Sequence, residues 1–139
     1  MTEKKRGLFL CTGNSARSQM AEGLLRHLAD DHFEVFSAGT FATYLRPQAI
    51  AVMNEIGIDI SHHRSKSLDE FLNTPFDYVI TVCDHASQRC PVFPGPAKRI
   101  HWSIEDPVAF GSEEAQLDAF RHARDDLHQR ISEFISSED

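Results

Sequence analysis

Short apolar runs alternate with stretches of helical periodicity along this 139-residue chain. Leu8, Phe9, Leu10 and Cys11 predict a first buried strand. Met20, Ala21, Leu24, Leu25 and Leu28 then mark one face of a helix over 17–29. A second strand is expected over 33–36, closing at Ser37-Ala38-Gly39-Thr40, where Gly39 suits a turn. Pro47 suits the first turn of a second helix. Its stripe is Ala49, Ile50, Met53 and Ile56, and Gly57 is its stop. Ser67 and Glu70 predict a capping box on a short helix over 68–72. Residues 77–83, β-branched and mostly apolar, predict a strand covered on both faces. A last strand is expected over 98–102. A long helix follows over 113–135, with Leu117, Phe120, Leu127, Ile131 and Phe134 on one side.

Strands alternating with helices predict an α/β fold, a four-stranded parallel sheet flanked by helices on both faces. With no repeat or linker, residues 1–139 read as one domain. Such sheets bind ligands beyond the carboxyl ends of their strands, near a topological switch point. Cys11, Ser37, Cys83 and Trp102 each end a predicted strand, with Asp106 just beyond, so all five are expected along one edge of the molecule.

The first of these strand ends carries the strongest chemical signal. Cys11 and Arg17 bracket Thr12, Gly13, Asn14, Ser15 and Ala16, all small or polar, between a strand and a helix. Small residues let a backbone wrap an anion, and N–H groups at a helix N-terminus favour negative charge. The same field favours thiolate over thiol. Arg17 supplies a planar fork of donors matched to a tetrahedral oxyanion. Ser18 is placed to donate to the Cys11 sulfur, and Asn14 to brace the loop through its amide. The pattern predicts an anion pocket with a nucleophilic sulfur at its floor.

Charge and composition narrow the ligand. A net charge of −7 provides no basic stripe for nucleic acid, so an anion must be held by local groups. Three cysteines, Cys11, Cys83 and Cys90, argue against a structural disulfide framework, and each lies beside a strand end or a turn signal. No run approaches the length of a membrane span, and no apolar region follows the charged residues Lys4, Lys5 and Arg6 as in a secretory signal. A monomeric, cytoplasmic protein with no membrane or nucleic-acid partner is expected. Cys83-x-His85-x4-Cys90 matches no common zinc pattern, so neither a metal nor a cofactor is expected. His62 and His63 read as a solvated turn.

The loop Cys11-Thr12-Gly13-Asn14-Ser15-Ala16-Arg17-Ser18, continued by Met20-Ala21-Glu22-Gly23, resembles the phosphate-binding loop of the low-molecular-weight protein tyrosine phosphatase superfamily. Ser37-Ala38-Gly39-Thr40 and Asp106-Pro107 match its further signatures in order. The resemblance implies that Cys11 is the nucleophile, that Arg17 and the loop 12–18 hold the oxyanion, and that Asp106 is the general acid. Within that superfamily the chain is most similar to the thioredoxin-coupled arsenate reductases, through Gln19, Thr81-Val82-Cys83-Asp84, Cys90-Pro91 and His101-Trp102. Val108 and Ala109 stand where the phosphatases usually place aromatic residues.

The resemblance implies a Cys11–Cys83–Cys90 thiol relay regenerated by thioredoxin. Two thiols closing to a disulfide supply the two electrons that take arsenate to arsenite. Residues seven apart on a helix are about 10 Å apart, whereas a disulfide needs Cα atoms within about 7 Å. A rearrangement of 83–90 on oxidation is therefore expected. Some such reductases hold potassium with residues matching Asn14, Glu22 and Ser37. In some of them the segment after Ile60 supplies an acid; here Ser65-Lys66 stands there, and an ammonium would compete with a cation. The alternatives are a low-molecular-weight protein tyrosine phosphatase, which has no need of Cys83 and Cys90, and a non-enzymatic redox or anion sensor.

Overall fold

The computed structural model describes residues 4–82, 93, 95–107 and 111–137. Strands β1 (Lys5–Cys11), β2 (Phe33–Gly39), β3 (Tyr78–Thr81) and β4 (Lys98–His101) form one sheet in the order β2-β1-β3-β4. Every pairing is parallel. Helix α1 (Arg17–Ala29) links β1 to β2, α2 (Pro47–Asn54) follows β2, and α3 (Glu113–Ser137) closes the chain. The chain leaves β1 toward β2 on one side and later adds β3 on the other. The switch point therefore lies at the carboxyl end of β1, where Cys11 stands.

β1 is central, and its alternating side chains enter two cores. Phe9 and Cys11 join the larger one, with Met20, Leu24 and Leu25 of α1, Met53 of α2, and Phe120, Leu127 and Ile131 of α3. Leu8 and Leu10 face the opposite side, which Phe76, Phe93 and a short 3-10 helix (Leu68–Phe71) cover. The three described α-helices thus share one face of the sheet, and the 3-10 helix lies on the other. No described helix is long and apolar enough to cross a membrane.

The strands run longer at β1 and β2 than hydrophobicity alone implies. Lys5 and Arg6 pair with Phe33 and Glu34, and β2 continues through Ser37 to Gly39. Ser37 is therefore inside the strand and not at its end. β3 stops at Thr81, while the Val82 N–H still donates to the Leu10 carbonyl at 2.9 Å.

Helix ends follow local chemistry. After α2, Gly57 adopts a φ of 79°. The N–H groups of Gly57 and Ile58 reach the carbonyls of Asn54 and Met53, a Schellman stop. The capping box at Ser67 does not form: its hydroxyl accepts from the Asp69 N–H, and Glu70 instead forks onto Arg64. On α1, Leu28 is 40% exposed. The polar residues Arg17, Ser18, Gln19 and Glu22 are buried there instead, because the first turns of this helix are enclosed on all sides. α3 extends to Ser137, whose hydroxyl donates to the Phe134 carbonyl.

Candidate active site

The loop between β1 and α1 is held by its carbonyls. Those of Cys11, Thr12 and Ser15 accept from the N–H groups of Thr40, Phe41 and Arg46, at 3.2, 3.3 and 3.0 Å. The Gly13 carbonyl accepts from the hydroxyls of Thr43 and Ser65, and the Asn14 carbonyl from the Gln19 amide. In a trans peptide the N–H points opposite to the preceding carbonyl. Tying down five successive carbonyls therefore turns the N–H groups of 12–16 the other way. One of them, from Asn14, meets the Cys11 sulfur at 3.2 Å.

Close packing makes this wrap possible. Gly39 lies against the loop, and a Cβ there would stand 2.6 Å from the Thr12 oxygen and 2.7 Å from the Asn14 nitrogen. Its requirement is space for the neighbouring backbone, not the turn that the sequence suggests. Asn14 takes the left-handed conformation, with a φ of 48°, which asparagine tolerates better than most residues.

Asn14 is also the hub of the loop. Its Oδ1 accepts from the Lys66 backbone N–H at 2.8 Å and from Gln19 Nε2 at 2.9 Å. Those donors fix the amide orientation and send Nδ2 to the hydroxyls of Ser18 and Ser37, at 2.8 and 3.0 Å. Ser18 thus accepts from Asn14 and keeps its one proton for the Cys11 sulfur, 2.8 Å away. The Ser37 hydroxyl in turn donates to Glu22 Oε1. Cys11 is 3% exposed, and its sulfur receives two donors.

Ala16, at the N-cap of α1, offers no side-chain oxygen to the helix N–H groups. Arg17 begins the helix and is buried. Its guanidinium donates to the Ile104 carbonyl at 3.0 Å and lies 3.8 Å from Asp106 Oδ2. The structure thus brings together Cys11, Thr12–Ser18 and Asp106. Asp106 is half-exposed on the loop after β4, within reach of Arg17. Cys83 and Cys90, His85, Val108 and Ala109 lie outside the described residues.

Behind the loop is an ionic cluster that periodicity does not reveal. Glu22, on α1, is 6% exposed. Its Oε2 pairs with Arg26 at 2.7 Å, and its Oε1 lies 3.8 Å from Lys66 Nζ. Burial pushes the Lys66 ammonium down from its ordinary range, and Glu22 opposes that shift. His63 belongs here as well. Its side chain is enclosed, unlike that of exposed His62, so the solvated-turn expectation fails for His63. Nδ1 faces Gln19 Oε1 at 3.1 Å and Nε2 faces Arg26 at 3.3 Å, which selects the neutral ring protonated on Nδ1. Burial, acting first, pushes the His63 pKa down.

An arsenate reductase of Shouchella clausii is 46% identical over 135 residues, covering 96% of this chain and 97% of that protein. A solved arsenate reductase in a phosphate-binding state superposes with a TM-score of 0.82 at 33% identity, over 96% of this chain and 98% of that one. A thioredoxin-dependent arsenate reductase of Corynebacterium glutamicum gives a TM-score of 0.73 at 31% identity, over 98% of this chain and 62% of that one. Residues 6–138, nearly the whole sequence, match the pattern described as low molecular weight phosphotyrosine protein phosphatase. With that match over nearly its whole length, and with Cys11 at the switch point of a four-stranded parallel sheet, the chain belongs to the low molecular weight phosphotyrosine protein phosphatase family.

Proposed function

We propose that this protein is an arsenate reductase working through a Cys11–Cys83–Cys90 thiol relay, with thioredoxin as its reductant. The observation that carries the first half is the Cys11 sulfur, which takes donors from Ser18 and the Asn14 N–H beside the buried Arg17 fork. The second half rests on Cys83 and Cys90, which a phosphatase does not need, and on the arsenate reductases to which the chain is similar. The dependence on thioredoxin stated for the Corynebacterium glutamicum protein supports the choice of reductant.

The N–H groups of the loop and Arg17 bind arsenate. The Cys11 thiolate attacks arsenic, an arsenic–sulfur bond forms, and one arsenic–oxygen bond breaks. Asp106 protonates the departing oxygen, which leaves as water. The Cys83 thiolate then attacks the Cys11 sulfur. A disulfide forms, and the arsenic–sulfur pair returns to arsenic, reducing As(V) to As(III) as arsenite departs. Cys90 attacks Cys83, forming Cys83–Cys90 and releasing Cys11 as thiolate. A dithiol protein reduces that bridge by exchange. In this reading the chain acts as a monomer in the cytoplasm, where thiols stay reduced.

The test is arsenate-dependent NADPH consumption with thioredoxin and thioredoxin reductase. Cys11→Ser, Cys83→Ser and Cys90→Ser are each expected to lose turnover. Full turnover in Cys90→Ser removes the last relay step. Phosphate-ester hydrolysis with no arsenate turnover in the wild type selects the phosphatase reading, which rests on the family description alone and uses the same Cys11, Arg17 and Asp106.

A further inference from the structure

Lys66 takes no part in the mechanism above, yet it is 9% exposed and lies directly behind the loop. Its backbone already holds the site. The N–H donates to Asn14 Oδ1 at 2.8 Å, and the carbonyl accepts from the Gly39 N–H at 2.9 Å. Any side chain at position 66 would leave those two bonds in place. The ammonium needs its own account, because burying one has a large cost unless it is compensated.

Its surroundings supply only part of that compensation. Nζ donates to the Arg64 carbonyl at 2.8 Å and stands 3.8 Å from Glu22 Oε1. Glu22 is itself shared, because Arg26 holds its other oxygen at 2.7 Å. His63, beside them, is held in its neutral form by its two ring contacts. Arg64 and Glu70 neutralise each other further out. Two cations therefore meet one carboxylate, and the cluster retains one positive charge. One asparagine separates that charge from the sulfur: Asn14 takes the Lys66 N–H on its side chain and gives its own N–H to Cys11.

We propose that Lys66 is a positioning residue for the oxyanion site, one whose ammonium makes the ground behind the anion loop net positive and so raises both affinity for a doubly charged oxyanion and reactivity of the Cys11 sulfur. This rests on the reading of the loop as an oxyanion site. Lys66 touches neither the sulfur nor the anion. It acts through charge, in a poorly screened interior, in a protein whose overall charge repels anions.

The experiment measures two properties in wild type, Lys66→Met, Lys66→Arg and the double variant Lys66→Met/Glu22→Gln. One is binding of inorganic phosphate by calorimetry. The other is the rate of iodoacetamide alkylation at neutral pH, followed on the Cys11 peptide. Lys66→Met makes the cluster neutral, so phosphate affinity and alkylation rate are each expected to fall roughly fivefold to tenfold. Its thermal midpoint should hold or rise, because a buried ammonium becomes an apolar chain. Lys66→Arg keeps the charge and is expected to stay within about twofold of wild type. The double variant leaves Arg26 alone, restores one positive charge, and is expected to recover most of the loss.

Wild-type affinity and alkylation in Lys66→Met overturn the proposal. A loss that the double variant deepens overturns it too, since that is the mark of a merely structural ion pair. Should Lys66→Met fail to fold, Lys66→Gln takes its place, with the same expected losses of roughly fivefold to tenfold and with wild-type behaviour again overturning the proposal. A wild type that binds no phosphate removes the site reading itself, and this inference with it.

Discussion

Glu22 and Glu55 each lie between two cationic side chains, one beside the anion loop and the other on the scaffold. Glu55, on the turn after α2, takes Arg121 at 2.8 Å and Arg124 at 2.7 Å, both from α3. Those arginines also pair with Asp118 and Asp125, and Arg124 donates to the Val52 carbonyl. Three carboxylates therefore meet two guanidiniums, with short distances and partial exposure. Around Glu22 the proportions reverse. One carboxylate with 8% side-chain exposure faces two cations, one of them at 3.8 Å. The scaffold pairs join α2 to α3 and end slightly negative. The cluster behind the loop is left slightly positive, the sign an oxyanion site requires.

Removing each acid separates the two clusters. Glu22→Ala strands a buried ammonium and takes away the acceptor of the Ser37 hydroxyl. Leaving a buried charge uncompensated costs about 3–5 kcal/mol. Urea denaturation should show a loss of that order, with a collapse of arsenate turnover as Asn14 loses its partner at Ser37. A loss below about 1 kcal/mol would mean that Glu22 is not the anchor of the cluster. Gly39→Ala comes next. Its Cβ meets the loop backbone at 2.6–2.7 Å, with no flexible side chain to yield. Overpacking of this kind costs about 1–3 kcal/mol. Turnover should fall further than stability predicts, because the displaced atoms are those of Thr12 and Asn14. Wild-type kinetics in Gly39→Ala would show that the loop has slack.

These positions also mark what the sequence could and could not tell. The Cys11 loop was legible because its signal is local: small residues, one sulfur and one arginine between a strand and a helix. Gly57 and the stripe of α3 were legible for the same reason. His63 was not, because its ring is buried by partners more than 35 positions away, and polar residues outside a motif read as solvated; Lys66 was placed near Asn14 and Glu22 only through the family resemblance. The same limit applies to β2, where Ser37 sits inside the strand because β1 continues alongside it. The failed capping box at Ser67 shows a tertiary contact winning. Arg64 offers Glu70 two charged donors, and the Ser67 N–H offers one neutral donor. One gap in the α3 stripe was a usable sign. Arg124 occupies an inward position in the row 120, 124, 127, and its guanidinium reaches Glu55 and the Val52 carbonyl.

The smallest effect is expected from Glu55→Gln. This carboxyl is exposed enough for solvent to screen its pairs, so at neutral pH the substitution should move the thermal midpoint by a few degrees at most. Its signature lies in acid. Hydrogen bonds from Arg121, then from Arg124, hold the Glu55 pKa down at about 2, against an ordinary value of 4.5. The sign follows from linkage: a carboxyl with a depressed folded-state pKa adds stability above its unfolded pKa and loses it as pH falls toward the folded one. The wild-type advantage over Glu55→Gln should therefore be complete above about pH 5, shrink between 4.5 and 2, and vanish below. Chemical denaturation of both proteins across that range measures it. A difference independent of pH would mean that the arginines clamp α2 to α3 through shape and not through the charge of Glu55. The contrast with Glu22, where charge is the point, would then be sharper still.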